Sequence, residues 1–376
     1  MTLYLGLISG TSMDGIDAAL LDIGTGGMRV HSAGTTDWPE TLRQRLRRAA
    51  EDYEHIGLTE YGELDTLVGE QLALAANRLL DGSGVQPEAV RAIGSHGQTV
   101  LHQPLGQAPF TLQIGDPNVL AERTGIDVVA DFRRRDVAAG GEGAPLMPAF
   151  HAAAFAAEGE TRALANIGGL ANVTLLTPGG TLGFDTGPGN CLLDAWTRRH
   201  RNEPFDRNGD WAARGRVSAP LLQRLLDEPY FRRPAPKSTG RETFSDAWLE
   251  QRLAGLDLAP VDVQATLSEL TARTIATALQ PTAAPAGGAA TARIHRLLVC
   301  GGGAANADLM RRLAVALPGV AVQSTDAFGI AADHVEAAGF AWLAWRYLAG
   351  LPGNLPAVTG ARHSVPLGGL YRGRVA

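Results

Sequence analysis

Apolar and polar residues follow two different rhythms along this chain. Continuous apolar runs at 3–8 and 16–23 predict two strands joined by a short turn. Within 59–80, apolar residues recur three and four positions apart, which predicts an amphipathic helix with one buried face. Helical patterns also cover 261–279 and the aromatic-rich 334–350. Because strand signals alternate with helix signals, the sequence predicts an α/β protein.

In four stretches the spacing of apolar and polar residues gives a weaker indication of secondary structure. The strand that starts near Ala89 is expected to run into a polar loop at Ser95. The segment 133–143 is charged and then glycine-rich, which is typical of a hinge or an active-site loop. Few periodic signals occur in 204–244, and the low-complexity stretch 281–293 is expected to be a flexible surface loop.

A hairpin pattern occurs twice, in GLISGTSMDGIDAALLDI and in LANIGGLANVTLL. Each copy is an apolar strand, a tight turn of small polar residues and a second apolar strand. One copy in each half predicts two similar domains that face each other across a cleft. The predicted boundaries are 1–135 for the first domain and 136–376 for the second, with the last helix and tail packing back on the first.

Composition narrows the function classes. The formal net charge of -6 argues against a general binder of nucleic acid or of membrane surfaces, which would need a basic face. No apolar run reaches the ~20 residues of a membrane span, and no signal peptide is evident, so we expect a cytoplasmic protein. The cysteines, Cys191 and Cys300, lack the spacing of a zinc knuckle or a disulfide framework.

The first hairpin turn, SGTSMDG, combines backbone N–H groups, hydroxyls and glycines, which a phosphate chain requires. It lacks the lysine and the following helix of a Walker A loop. An ordinary hairpin turn built from the same residues is an equally good interpretation. Asp14 would either orient a hydrated Mg²⁺ or cap the turn, while Asp17 lies on the strand beyond.

Asp185, in GFDTGPGN, is the candidate general base. It follows a predicted strand and is flanked by glycines, a suitable place for a carboxylate that must reach a water or a hydroxyl. The alternative is that Asp185 caps the helix that begins near Asn190, although Asn190 itself can serve as that cap.

The remaining polar candidates have simpler interpretations. His96 and His102 have no metal-ligand spacing, which favours hydrogen-bonded loop histidines. The run 133–135 is three arginines, partly a solvated face, of which one would clamp a carboxylate. Glu336 opens a helix, where an acid suits the dipole, and a ligand-hydroxyl acceptor is the sharper alternative. The aromatic residues of 342–347 indicate core packing.

A set of motifs resembles one family from end to end. In order along the chain the motifs are SGTSMDGID, GSHGQT, QIGDPNVLAERTGIDVVADFRRRD, GAPLMPAFH, NIGGLANVT, GFDTGPGN, PKSTGRE and CGGGAANADLM. This order is similar to that of the anhydro-N-acetylmuramic acid kinases, of the actin/hexokinase/Hsp70 ATPase superfamily. The resemblance implies an α/β fold of two actin/hexokinase-like (ribonuclease H-like) domains with an ATP–Mg²⁺ cleft between them.

The resemblance also implies site residues. Asp185 matches the family's catalytic aspartate. Asp14, from its own position in the turn, is the expected Mg²⁺ contact, directly or through water. The ATP contacts implied are Gly10, Thr11, Ser12, Met13, Asp14, Gly15, Ile16 and Asp17 in the first phosphate turn, Gly168, Gly169 and Asn172 in the second, and Gly301, Gly302, Gly303 and Asn306 on the adenosine side. The sugar contacts implied are Ser9, Thr99, Arg133 and Glu336.

The implied activity is a coupled reaction of cell-wall recycling. ATP phosphorylates 1,6-anhydro-N-acetylmuramic acid at O6 while water opens the anhydro ring, giving N-acetylmuramic acid 6-phosphate. The family also implies a homodimer acting on a small amino sugar. Glu142 and Leu101 depart from the family pattern beside the expected cleft. Another sugar kinase of the superfamily, or a non-catalytic ATPase switch, is the alternative.

Overall fold

The computed structural model describes residues 2–10, 12–24, 26–235, 237–240, 243–280 and 293–374. Thr11 and most of the predicted loop 281–293 therefore lie outside the described residues. The strands are β1 (Thr2–Ser9), β2 (Ile16–Gly24), β3 (Gly27–Thr36), β4 (Val90–Gln103), β5 (Phe110–Ile114), β6 (Val128–Ala130), β7 (Arg162–Ile167), β8 (Leu170–Thr177), β9 (Gly180–Pro188), β10 (Arg296–Cys300), β11 (Ala321–Ser324) and β12 (Gly369–Tyr371). The helices are α1 (Glu40–Glu51), α2 (Leu58–Ser83), α3 (Pro117–Thr124), α4 (Phe132–Ala138), α5 (Met147–Phe155), α6 (Cys191–Arg201), α7 (Ala219–Leu226), α8 (Asp246–Leu253), α9 (Pro260–Ala278), α10 (Ala307–Ala316), α11 (Val335–Leu348) and α12 (Pro356–Thr359).

The chain divides into two compact units. The first contains Met1–Ala154 and Asp333–Ala376, and the second contains Phe155–Ala332. The boundary expected after residue 135 falls inside α4, and α11 and β12 belong to the first unit.

The two units share one strand plan. In the first, the sheet order is β12-β6-β4-β1-β2-β3, with β5 added to β4; in the second it is β11-β10-β7-β8-β9. In each, the opening three strands form an antiparallel meander, and two later strands extend the sheet in parallel from the first of them. The fold prediction of two similar α/β units built on repeated hairpins is therefore confirmed.

Helix α2 forms as its sequence rhythm predicts. Its buried side chains are spaced by three and four residues, and they pack into the first unit's core with β1, β2 and α1. The second unit's core lies between one face of its sheet and helices α9 and α10, where Ala272, Ile275, Leu309 and Leu313 are fully or almost fully buried.

Two glycines seat α11 directly on the first sheet. Gly6 of β1 and Gly94 of β4 are register partners. A Cβ on Gly6 would lie 1.8 Å from the carbonyl oxygen of Ala337, and a Cβ on Gly94 would lie 2.0 Å from that of Phe340. Because neither position has room for a side chain, the helix backbone contacts the strand backbones.

Two sequence predictions were wrong. Strand β4 does not end in a loop at Ser95 but continues to Gln103, because β5 pairs with its second half and supplies backbone partners for the polar residues there. The segment predicted as a hinge or loop begins with α4, because Phe132 and Val137 bury one side of a short helix. Within the described residues, no helix has both the length and the apolar character needed to cross a bilayer.

Candidate functional site

The first predicted phosphate turn connects β1 to β2. The N–H of Met13 donates to the carbonyl of Gly10 at 3.1 Å, and Met13 adopts a φ of 55°. Trp38 Nε1 donates to Ser9 Oγ at 3.1 Å, and Gln98 Nε2 donates to the Gly10 carbonyl at 3.3 Å. These hydrogen bonds fix the turn on the side that faces the sheet. A Cβ added to Gly10 would have Ser12 Oγ as its nearest atom, at 3.7 Å, so the other side of the turn is open.

The two aspartates of this hairpin have different surroundings. Asp14 lies exposed in the turn. Asp17 opens β2 and accepts a 2.6 Å hydrogen bond from Thr35 Oγ1, its register partner on β3. Burial raises the pKa of Asp17, against the hydrogen bond from Thr35. The chemistry of Asp14 suits a hydrated Mg²⁺, which takes one or two carboxylates and completes its shell with water and phosphate oxygens; among the described residues no cluster of three metal-ligating side chains exists.

Arg133 points inward from α4, whereas its neighbours Arg134 and Arg135 are exposed. Its Nε donates to His96 Nε2 at 2.9 Å, and its Nη1 donates to the Gly143 carbonyl at 2.8 Å. Since a guanidinium can only donate, His96 must accept at Nε2 and carry its proton on Nδ1, which lies 3.1 Å from the Gly97 carbonyl. Burial, aided by Arg133, holds the pKa of His96 well below its ordinary value, so this imidazole is neutral.

The other expected sugar contacts belong to the same unit. Thr99 follows His96 on β4, and its Oγ1 accepts from Gln113 Nε2 of β5 at 3.2 Å. Glu336 lies in the first turn of α11 and is close enough to Arg133 to raise the pKa of that guanidinium, against the larger lowering effect of burial. Arg133 therefore interacts with β4 through its hydrogen bond to His96 and with Glu336 through charge.

The remaining histidine and the two departures from the family pattern are also located. His102 Nδ1 lies 2.9 Å from Thr111 Oγ1, and burial lowers its pKa to about 4. Both histidines are hydrogen-bonded, as expected, but they lie on a strand and not in a loop. The side chain of Glu142 is exposed, and Leu101 lies half-buried on β4 beside Leu112.

In the second unit, the glycine turns at 168–169, 187–189 and 301–303 lie together at the carboxyl ends of β7, β9 and β10. The carbonyls of Gly168 and Gly169 accept from the N–H groups of Asn190 and Cys191 at 2.8 and 3.0 Å, which ties the second predicted phosphate turn to the start of α6. The Asn190 side chain donates to the Ile167 carbonyl at 3.1 Å and does not cap α6.

The predicted adenosine-side turn packs against the end of β7. A Cβ on Gly301 would lie 2.5 Å from Asn166 Oδ1, and one on Gly303 would lie 2.4 Å from Ile167 Cγ2. By contrast, Cβ atoms on Gly168 and Gly302 would meet no atom within 3.7 Å. The second predicted phosphate turn and the adenosine-side turn therefore each have an open glycine face, and this fits close approach of a phosphate or a ribose to the backbone.

Asn306, the last residue expected on the adenosine side, has a visible structural role. Its side-chain oxygen accepts from the Leu309 N–H at 3.0 Å and caps α10. That oxygen also lies 2.1 Å from where a Cβ on Gly209 would sit, so this glycine is required for the fit. The amide nitrogen of Asn306 is the part suited to a ligand.

Asp185 lies in a polar row across the second sheet. It is the register partner of Asn172 on β8, which in turn pairs with Asn166 on β7. Side chains directly opposite each other on neighbouring strands share a face, so these three project from the same side of the sheet. Asp185 is inside β9 and does not cap α6. Sequence reasoning did not select Asn166, although its motif was recognised.

A segment after α7 braces Asp185. The backbone N–H of Asp185 donates to the Lys237 carbonyl at 3.0 Å, and Asp185 Oδ2 accepts from the Thr239 N–H at 3.0 Å. Tyr230 donates its hydroxyl proton to the Asp185 carbonyl at 2.8 Å, and Lys237 Nζ donates back to the Tyr230 carbonyl at 3.1 Å. Burial raises the pKa of Asp185 to about 6, against the Thr239 hydrogen bond that lowers it. A carboxylate with this pKa is well suited to accept a proton near neutral pH.

Comparison with known proteins gives a family match. The model of a family described as anhydro-N-acetylmuramic acid kinase matches residues 2–373. Among solved structures, the chain is similar to an activator of 2-hydroxyisocaproyl-CoA dehydratase from Clostridium difficile with bound ADPNP, at 11% identity and TM-score 0.46, over 90% of this chain and 93% of that chain.

Two further similar structures are named as sugar kinases. A ROK hexokinase from Thermus thermophilus is 16% identical, with a TM-score of 0.36 over 92% of this chain and 99% of that chain. A ROK family glucokinase from Streptomyces griseus, in complex with glucose and AMPPNP, is 14% identical, with a TM-score of 0.39 over 91% of this chain and 98% of that chain.

Proposed function

Since the chain belongs to the anhydro-N-acetylmuramic acid kinase family, we propose that it opens 1,6-anhydro-N-acetylmuramic acid with water and phosphorylates O6 from ATP. The product is N-acetylmuramic acid 6-phosphate, a step in peptidoglycan recycling. The observation that carries the proposal is Asp185, a partly buried carboxylate with a pKa of about 6 beside an open glycine turn.

Asp185 acts as the general base in this reaction. A water oxygen forms a bond to C1 of the sugar while its proton passes to the Asp185 carboxylate. The C1–O6 bond breaks, and the electron pair remains on O6. O6 then forms a bond to the γ-phosphorus of ATP as the bond to the β-phosphate oxygen breaks, releasing ADP. The brace from Tyr230, Lys237 and Thr239 supports this role because it fixes the orientation of the base.

The glycine turns bind the nucleotide in this proposal. Backbone N–H groups of 10–17 and of 168–169, with Asn172, contact the phosphates, and 301–303 with Asn306 contact the adenosine. Mg²⁺, held by Asp14 directly or through water, supplies charge neutralisation for the transferring phosphoryl group. The open faces of Gly10, Gly168 and Gly302 support this assignment, because backbone must approach the ligand closely.

Four residues of the first unit contact the sugar in this proposal. Arg133 pairs with the lactyl carboxylate, since two of its nitrogens are already fixed and the fork geometry suits a carboxylate. Glu336 and Thr99 accept from sugar hydroxyls, and Ser9 adds a further contact. We also propose a cytoplasmic homodimer, by family membership alone.

Isotope transfer tests the reaction. The protein is incubated with the anhydro sugar and ATP in ¹⁸O-water, and the product is analysed by mass spectrometry after short times. We expect one label at C1 and none in the new phosphate ester bridge. Unlabelled product incubated in the same water corrects for exchange at the anomeric carbon.

Other outcomes separate the alternatives. Phosphorylation of glucose or N-acetylglucosamine at equal or higher rate, with no label at C1, would identify a different sugar kinase. ATP hydrolysis that no sugar accelerates would identify an ATPase switch instead.

A further inference from the structure

A cavity of about 250 Å³ lies in the first unit, next to the expected sugar contacts, since two of its lining residues, His96 and Gln113, are hydrogen-bonded to Arg133 and Thr99. It is bounded by α2, by the start of α3, by β4 and β5, and by residues at the ends of β6 and β12. Ser9, Thr99, Arg133 and Glu336 are not among its lining residues. The volume suits a compact ligand of monosaccharide size.

Ser95 gives the cavity an unused hydrogen-bonding group. This side chain lines the cavity and is 1% exposed. Its hydroxyl is buried and has no hydrogen-bond partner among the described residues. A buried hydroxyl without a partner is costly, and a ligand in the cavity would satisfy it.

The other polar groups that line the cavity are mainly acceptors. Gln113 donates both times through Nε2, to Thr99 and Thr111, so its carbonyl oxygen is the end left for a ligand. Asn118 likewise donates through Nδ2 to Asp116, and the Tyr371 hydroxyl donates to Asp131. These contacts leave oxygen lone pairs directed toward any occupant.

The charge of the cavity favours a cation. Arg134 is already paired with Asp131, with 3.5 Å between Nε and Oδ1. Asp65 accepts the Gly115 N–H at 2.7 Å and has no ion pair among the described residues. The positive end of α3 is neutralised by its own cap, because Asp116 accepts the Asn118 N–H at 2.8 Å. Asp65 therefore faces the cavity without an ion pair among the described residues, although Arg134 on the same cavity wall acts on it from farther away. It lies beside Tyr61 and Tyr371, whose rings also attract cations.

We propose that this cavity is a second ligand site, which binds a small hydroxylated primary amine. The ammonium group pairs with Asp65, and the hydroxyl groups donate to the acceptor oxygens of Gln113 and Asn118 while one engages Ser95. The site does not depend on the proposed kinase reaction.

Calorimetric titration of the full chain tests the site, with glucosamine as the probe below the pKa of its amine. Glucose is the uncharged matched ligand. We expect glucosamine to bind, and glucose to bind at least about tenfold more weakly, since a charge-assisted hydrogen bond is lost. Asp65→Asn should weaken glucosamine binding by about tenfold while its amide oxygen still accepts from Gly115. Ser95→Ala, which removes no side-chain hydrogen bond among the described residues, should weaken binding severalfold.

Glu336→Gln separates this cavity from the expected sugar contacts, because Glu336 does not line it, and this variant should bind glucosamine as the unaltered chain does. The proposal is overturned if glucosamine gives no heat of binding, if glucose binds equally well, or if Ser95→Ala and Asp65→Asn bind normally. Loss of binding in Glu336→Gln would also overturn it, because glucosamine would then occupy the sugar site. None of these readouts requires turnover, so they are independent of the kinase assay.

Discussion

Thr239 and Asp185 are joined by one hydrogen bond, from a backbone N–H to a carboxylate oxygen at 3.0 Å, across 54 positions of sequence. The bond stabilises the ionised carboxylate, whereas burial disfavours it. The pKa of the proposed base is therefore set by the balance of these two effects.

Thr239→Pro should shift the acidic limb of the pH–rate profile upward by about one pH unit. Proline has no N–H, so the carboxylate loses its donor and its pKa rises further. Thr239→Ala keeps the N–H and should keep the profile of the unaltered protein. Initial rates of ADP release between pH 5 and 9 give both profiles; coincident limbs for all three proteins would contradict the role of this bond.

Asp185→Asn should reduce turnover by a factor of about 10² to 10⁴, because an amide cannot accept the proton of the attacking water. ATP should still bind, which calorimetry measures. In the unaltered protein the rate should rise with pH through about 6 and then level off, since the base must be ionised. Asp227→Asn, at an exposed position, is the matched control and should retain activity. A near-normal rate for Asp185→Asn would show that the base lies elsewhere.

The same substitution should change stability in a pH-dependent way. The pKa of Asp185 is raised from 3.8 to about 6 by folding, so the folded state binds the proton more tightly than the unfolded state. This contribution is complete below pH 3.8 and is lost as the pH rises through about 6. Asp185→Asn should therefore gain stability relative to the unaltered protein between pH 4 and pH 7. Urea unfolding at both pH values measures the difference, and a constant difference would contradict the pKa shift.

Arg133→Lys should raise the KM for the anhydro sugar by about tenfold or more, with a smaller effect on the KM for ATP. Lysine cannot donate to His96 and Gly143 and still present a fork to a carboxylate. Arg135→Lys is the control, because that side chain is exposed. Equal KM values for the two variants would remove Arg133 from the sugar site.

Gly94→Ala should destabilise the first unit by about 1–3 kcal/mol or more. Its Cβ would lie 2.0 Å from the Phe340 carbonyl oxygen, so α11 would have to move off the sheet. Gly62→Ala, in the open on α2, should instead stabilise by about 0.4–1 kcal/mol. Urea unfolding of both variants checks the contrast, and similar midpoints would refute the seating of α11.

The hairpins and α2 were predictable because their signal is local. A strand shows itself by a continuous apolar run, and α2 by the spacing of Leu64, Val68 and Leu72. The length of β4 was not predictable, since its polar half is stabilised by β5, which pairs with it only after the chain has turned.

In the candidate site, too, the features set by local sequence were predictable and those set by contacts between distant segments were not. Glycine turns and a carboxylate flanked by glycines are visible as motifs, and α4 explains why one arginine of three faces inward. The brace by Thr239 and the packing of Gly301 against Asn166 join distant segments. No periodicity in the sequence encodes such pairs.

The seat of α11 on Gly6 and Gly94 has a consequence for how substrate preference can change. Because the backbone of α11 packs directly on the backbones of β1 and β4, substitutions among apolar side chains do not change the height or position of the helix on the sheet. Glu336, a proposed sugar contact on this helix, therefore keeps its place while residues around it vary, and under the proposed function a new specificity must come from different side chains on an unmoved backbone.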